Sequence, residues 1–343
     1  MATRIVGVER HLPHRFSGTV DLLAFESDLL VGNPLGDPTV RELLCYTPPD
    51  PAPGSAVLFV LPAFTSRPHA ALETHPWRRG LVAGYDRAVA AGAIPPAFLV
   101  LPDCFTRLGG SQYVNSPAVG PYESHVIEEL LPLAREHLEA DHAGPRGILG
   151  KSSGGFGALH LSMHHVGAFR ACASISGDCG FDALFPPEFL NCLRGLLQHD
   201  GDPAKFLDSF FENPDLSGDG HAVINVLAMA ACFSPNADSP LGFDLPFELE
   251  TGEIIPATWQ RWLEFDPLVA CERSVAALKH LDLLHIECGL SDEFHLQWGA
   301  RRLSKKLREL GVDHTHEEHA GGHRGIDERV LMVIERMARR LGR

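Results

Sequence analysis

Three short stretches carry side chains that could do chemistry together. Gly150-Lys151-Ser152-Ser153-Gly154 sets a serine between two glycines, "GLSDEF" holds Asp292, and "AGGH" ends on His323. A serine hydroxyl is a poor nucleophile at neutral pH. It needs a base, and the base needs an acid to orient it. Ser, then Asp, then His is the chain order of one such arrangement, and its chemistry is attack on a carbonyl carbon. With 33 glycines among 343 residues, chance yields roughly 0.2 G-x-S-x-G matches per chain, so the match is informative. The bland alternative is a glycine-rich structural turn with a buried serine.

These residues need elements to position them. "RGILG" (146–150) is a short apolar strand, and a helix fits 153–165, so Ser152 falls on the turn between them. A sharp strand-to-helix turn pushes the hydroxyl out at the carboxyl end of a sheet, and flanking glycines avoid a Cβ clash. Other apolar runs read as strands covered on both faces: "AVLFVLP" (56–62), "AFLVLP" (97–102), "RACASIS" (170–176) and 281–288. Helical patterns fit 77–91, 122–138, 267–280, 294–310 and 325–341, and a polar strand fits 313–319. The first fifty residues suggest antiparallel entry strands, such as 40–46. Strands alternating with helices imply an α/β fold with a mostly parallel central sheet and helices on both faces. The chain length suits one large domain with an insertion, or two domains. We read 1–343 as a single domain. Residues 180–265 interrupt the alternation with helical pieces and no clear buried strand, which predicts a lid-like insertion.

The acid should follow the next-to-last strand. Asp292 lies at its carboxyl end. Asp282 lies at its start, the wrong end, and Glu293 is one residue off. Ser291 and Asp292 could equally cap the following helix. The base should follow the last strand, where "HTHEEHAGGH" offers four histidines. Along a strand His314, His316 and Glu318 share one face and His319 takes the other. Two glycines then lift His323 away from the strand. His314 and His316 could chelate zinc if a third ligand were near. The H-E-E-H spacing is i, i+3, however, and not the i, i+4 pair of a helical zinc motif. Solvated histidines on an edge strand are the expectation for His314, His316 and His319, with no metal and no cofactor.

The remaining composition narrows the class. The residues are 45% hydrophobic and 21% charged, an ordinary globular balance. A net charge of -15 repels phosphate backbones, which argues against a nucleic-acid partner. No run approaches the length of a membrane span, and "MATRIVGVERHLPHR" lacks the apolar core of a secretory signal. The eight cysteines are scattered with no C-x-x-C pair and read as reduced, mostly buried thiols. A soluble cytoplasmic protein is expected, with self-association left open.

The motifs resemble the esterase D branch of the α/β-hydrolases, with its S-formylglutathione hydrolases, enterochelin-esterase-like enzymes, feruloyl esterases and antigen 85 acyltransferases. The resemblance covers nearly the whole chain, in "SDLLVGNPLGDPTVRELLCYTPP", "AFLVLPDC", "GPYESHVIEELLP", "GKSSGGFGAL", "GLSDEF" and "GGH". The elbow is its most specific part. The resemblance implies Ser152 as nucleophile, Asp292 as acid and His323 as base. The backbone N–H of Ser153 and Phe64 would form the oxyanion hole. One departure stands out: Pro62-Ala63 replaces the His-Gly that many members carry before that second donor. The expected activity is hydrolysis of a small-molecule carboxylic ester through an acyl-enzyme. Trp298, Phe294, Trp259 and Trp262 are candidates for the substrate pocket, though each is also an ordinary packing residue. The alternatives are an acyltransferase on the same residues and a non-catalytic binding protein of the same fold.

Overall fold

The computed structural model describes residues 4–9, 16–73, 80–138 and 144–342. The strands are β1 Arg4–Glu9, β2 Thr19–Glu26, β3 Val40–Thr47, β4 Val57–Leu61, β5 Phe98–Pro102, β6 Asn115–Ser116, β7 Gly120–Pro121, β8 Arg146–Lys151, β9 Ala171–Ile175, β10 Leu283–Gly289 and β11 Thr315–His319. Nine of them form one sheet in the order β1-β2-β3-β5-β4-β8-β9-β10-β11. From β5 to β11 every neighbouring pair is parallel, while β1, β2 and β3 join by antiparallel pairing. β6 and β7 form a small separate hairpin.

The helices are α1 Leu81–Ala90, α2 Tyr122–Ser124, α3 Leu131–His137, α4 Ser153–His164, α5 Phe181–Leu196, α6 Pro203–Glu212, α7 Gly220–Phe233, α8 Pro256–Leu263, α9 Pro267–Ala270, α10 Val275–Lys279, α11 Leu296–Glu309 and α12 Asp327–Leu341. A π-helical turn, His125–Leu130, joins α2 to α3.

Strand alternation divides the core. Val57, Phe59 and Leu61 of β4 face one hydrophobic layer with α4, α5, α7 and α11. Leu58 and Val60 face the other, with α1 and α12. Both faces of β4 are fully covered, which explains its unbroken apolar run.

Two expected helices differ. The helix expected over 267–280 is two short helices, α9 and α10, separated at 271–274. The one expected over 77–91 is α1; its first residues, including Trp77, lie outside the described residues. Between 180 and 265 the structure is helical, with two isolated bridges, Pro235–Phe243 and Phe247–Ile254. All eight cysteines are buried and free. Among the described residues no helix is long and apolar enough to cross a membrane.

Candidate active site

Ser152 leaves β8 and enters α4 with φ 56 and ψ -128, a backbone conformation that side chains rarely adopt. The turn is tight enough that the two motif glycines touch. A Cβ on Gly150 would lie 2.3 Å from the carbonyl carbon of Gly154. A Cβ on Gly154 would meet the Leu61 carbonyl oxygen at 2.2 Å. The Ser152 N–H donates to the Ile175 carbonyl at 3.0 Å, and the Ser152 carbonyl accepts from Phe156 at 2.9 Å, so both sides of the strained residue are tied down.

β10 and β11 pair in parallel, and the loops beyond them stay joined. Leu290 N–H donates to the His319 carbonyl and Ser291 N–H to the Gly321 carbonyl, each at 2.9 Å. A Cβ on Gly289 would strike the Gly321 carbonyl oxygen at 2.6 Å, so glycine is what lets the two loops run this close. The outcome is that Nδ1 of His323 lies 2.9 Å from Oδ2 of Asp292, both side chains buried. Oδ1 of Asp292 accepts from the Phe294 N–H at 3.0 Å. Burial alone would raise the Asp292 carboxyl, but the bond and charge of His323 outweigh it and hold the group below the usual range. Asp292 does not cap α11, whose N-cap position is His295. Asp282 is at the far end of β10 in an exposed pair with Arg170.

Ser152 and His323 line one cavity of about 420 Å³ with Ser153, Phe64, Asp178, Lys151, Arg324, His221, Asn225 and Phe294. Among the described residues the backbone N–H groups of Phe64 and Ser153 have no protein acceptor. Tyr113 donates its hydroxyl proton to the Pro62 carbonyl at 2.5 Å. The Phe64 ring packs on Gly109 and Gly110, where a Cβ would lie 2.8 and 3.1 Å away. The loop that departs from the family's His-Gly is therefore held by Tyr113 and two glycines. Thr65, at φ 60, closes it with an N–H bond of 2.8 Å to the Gly109 carbonyl.

Of the four aromatic candidates, only Phe294 lines this cavity, its ring 4.9 Å from that of His323. Trp298 is instead exposed on α11 with the Arg301 guanidinium over its ring. Trp262 is fully buried, donating its N–H to Ser234 at 2.8 Å, and Trp259 packs beside it on Phe189. They form the aromatic core beneath 180–265. The histidines of the polar strand are half-buried. Nε2 of His314 bonds Ser304 at 2.8 Å on the α11 side, and His319 lies on the opposite face, 3.7 Å from Glu287. His319 is thus set apart from His314.

A model of the family described as Putative esterase matches residues 80–326. The chain belongs to this esterase family. Among curated proteins none matches the chain. Solved structures similar to it include a ferulic acid esterase at 18% identity and TM-score 0.58, covering 96% of this chain and 100% of that one. An S-formylglutathione hydrolase from Agrobacterium tumefaciens follows at 16% identity and TM-score 0.57, with 100% of both chains covered. A third is the substrate-bound Staphylococcus aureus fluorophosphonate-binding serine hydrolase FphF, at 15% identity and TM-score 0.55, covering 94% and 98%. The fold is thus that of α/β-hydrolase esterases, and the family's activity class is ester hydrolysis.

Three further residues of the esterase's cavity escaped the sequence argument. Asp178 follows β9 as Asp292 follows β10, at the sheet edge where α/β proteins bind ligands, and that position was the available signal. Burial pushes its carboxyl up to about 6, against the lowering charge of His323. Burial also lowers the Lys151 amine, although Asp327 and Asp292 draw it back up. His221 from α7 is lowered by burial, and by Arg324 and His323. Nothing in the sequence around His221 marks it.

Proposed function

We propose that this chain hydrolyses small carboxylic esters through an acyl-enzyme on Ser152. The Ser152 oxygen attacks the ester carbonyl carbon while His323 takes the hydroxyl proton on Nε2. The tetrahedral intermediate collapses, the C–O bond to the alcohol breaks, and His323 returns the proton to the departing oxygen. Water then repeats the sequence on the acyl-serine and releases the acid. Asp292 holds the His323 ring with Nδ1–H toward the carboxylate, which leaves Nε2 facing the serine, and stabilises the imidazolium as it forms. The N–H groups of Ser153 and Phe64 receive the oxyanion; one such donor is typically worth about 10²–10³ in rate.

The observation that carries this reading is the 2.9 Å His323–Asp292 bond beside a strained Ser152 in one shared cavity. The cavity volume of about 420 Å³ suits an ester of modest size. The ferulic acid esters and the S-formylglutathione thioester named for the similar structures are of that scale. We assign the 180–265 segment the role of a roof, since it supplies Leu184, Phe185, Leu216, His221 and Asn225 to the cavity wall. The test is labelling with a fluorophosphonate probe. Wild type should be labelled at one site and lose p-nitrophenyl acetate hydrolysis in step, and Ser152→Ala should not label. Labelling that survives this substitution would sink the assignment.

A further inference from the structure

A second cluster of chemistry-bearing side chains lies at the other end of α4, about 12–18 Å from the nucleophile along the helix at 1.5 Å per residue. His160 and His164 are one turn apart on that helix. Glu123 reaches them from α2. Ligand atoms of Glu123, His160 and His164 all lie within 4.8 Å of one another. The two imidazole rings are 4.2 Å apart between centroids. The proposed ester chemistry does not use these residues.

We propose that Glu123, His160 and His164 form a binding site for a divalent transition metal ion of the zinc class. Three features support it beyond proximity. The first is the charge balance. Glu123 is a half-buried carboxylate held below its usual range, and the groups against it are imidazoles: His160 at 2.9 Å and His165 at 2.7 Å. Among the described residues no lysine or arginine pairs with it. His160 is buried against it. Two imidazoles and a carboxylate are thus gathered at one point with no lysine or arginine competing for the oxygens. The second is the tautomer. Nδ1 of His164 is 2.8 Å from the His160 carbonyl, which can only accept. A ring proton is therefore on Nδ1, which leaves Nε2 as the atom that would bind an ion. A backbone acceptor of this kind is what usually orients a metal-bound histidine. The third is orientation of the buried ring. Phe156 stacks on His160 at 5.7 Å and Phe265 lies against it at 6.2 Å, which fixes its plane.

The ion would take Nε2 of His160, Nε2 of His164 and one Glu123 oxygen, with water in the fourth position. His165 would hold the other carboxylate oxygen. Coordination needs the His160 ring proton to move from Nε2 to Nδ1. It also needs the ligand atoms to open from 2.9 Å to about 3.3 Å, the edge of a tetrahedron with bonds near 2.05 Å. His164 is exposed, which gives the ion its way in. The donor set, two imidazoles and a carboxylate, suits zinc, cobalt or nickel over magnesium. A further group, His285, Glu287 and Glu317, differs in one respect. There Arg329 and Arg336 each lie 2.5 Å from a carboxylate oxygen and already supply the positive charge.

The ion would tie the C-terminal turn of α4 to the segment that begins α2, so its effect is on stability and not on turnover. The test uses the full chain stripped with chelator and then titrated with ZnCl2 by calorimetry, with thermal unfolding and the visible spectrum of added Co²⁺ as second and third readouts. One zinc per chain is expected, with a Tm rise of about 3–6 °C at saturating metal and intense tetrahedral cobalt bands. His164→Ala and Glu123→Gln should abolish all three, while His316→Ala should keep them. Ester turnover at 25 °C should be the same with and without zinc. Absence of stoichiometric zinc binding to wild type, or an equal response from His164→Ala, would overturn the site whatever the esterase assays show.

Discussion

The carboxylate of Glu293 accepts a hydrogen bond from the backbone N–H of His323 at 2.6 Å. Its chain neighbour Asp292 takes the ring of the same histidine at 2.9 Å. Two consecutive acids thus hold one histidine by backbone and by side chain. Glu293 is a positioning residue, and a Cβ on Gly322 would lie 2.6 Å from its carboxylate, so the glycine leaves room for it. Glu293→Ala should lower kcat on p-nitrophenyl acetate about 3–30-fold with little change in KM, because a small displacement of the base is costly to the chemical step. Glu293→Gln keeps an accepting oxygen and should recover most of the loss. Asp292→Asn should cost about 10³–10⁴. A Glu293→Gln variant as impaired as Glu293→Ala would remove the backbone bond as the cause.

At the nucleophile, Ser152→Ala should lower kcat by about 10⁵–10⁶ and leave the fold intact. Ser153→Ala should be mild, since only its backbone N–H is assigned a role. Its hydroxyl accepts from Gln112 at 3.0 Å, so a few-fold change is the expected size. Steady-state kinetics on purified variants with matched circular dichroism decides it. Retention of more than a few per cent of wild-type kcat in Ser152→Ala would show the serine is not the nucleophile.

The four neighbouring histidines separate by the same assay. His323→Ala should cost about 10⁴ or more, as members of such a unit fail together. His314→Ala, His316→Ala and His319→Ala should each stay within about tenfold, because His314 bonds Ser304, His319 lies beside Glu287, and none of the three lines the cavity. A dead His319→Ala beside an active His323→Ala would place the base on the strand.

What could be read in advance follows from how each feature is encoded. The elbow was legible because its glycines answer a local steric demand, visible as the 2.3 Å contact between Gly150 and Gly154. Asp292 and His323 were legible because strand order and strand ends constrain them. The cavity wall was not. His221 and Asn225 join Ser152 in the cavity wall only through the packing of α7 over the sheet, and no local pattern encodes that placement. The tryptophans misled for a related reason: Trp262 at 0% exposure and Trp298 at 51% are the same residue type in helical patterns, and burial depends on partners distant in sequence. Glu293 looked misdirected because a side-chain role was sought, and its partner is a backbone N–H.

The Asp178 carboxyl is pushed up to about 6 from the usual 3.8, mainly by burial. A raised folded value means the folded state resists ionisation. Below about pH 3.8 the group is protonated in both states and carries no penalty. As pH rises through 6 the folded protein must hold a charge it disfavours, and the stability present in acid is lost. The full difference of about two pK units corresponds to about 3 kcal/mol, and the water of the cavity Asp178 lines reduces that to about 1–3 kcal/mol. Asp178→Asn keeps the shape and cannot ionise. It should therefore be more stable than wild type by that amount at pH 7.5, and equal within about 0.5 kcal/mol at pH 4. The same charge attracts His323 and would stabilise the imidazolium formed during attack. Asp178→Asn should then lose about 3–10-fold in kcat at pH 7.5, a gain in stability bound to a loss in activity. Urea unfolding of both proteins at the two pH values, with kinetics alongside, measures both effects. A stability difference that does not grow between pH 4 and 7.5 would show that the ionised carboxylate at this position costs the fold nothing.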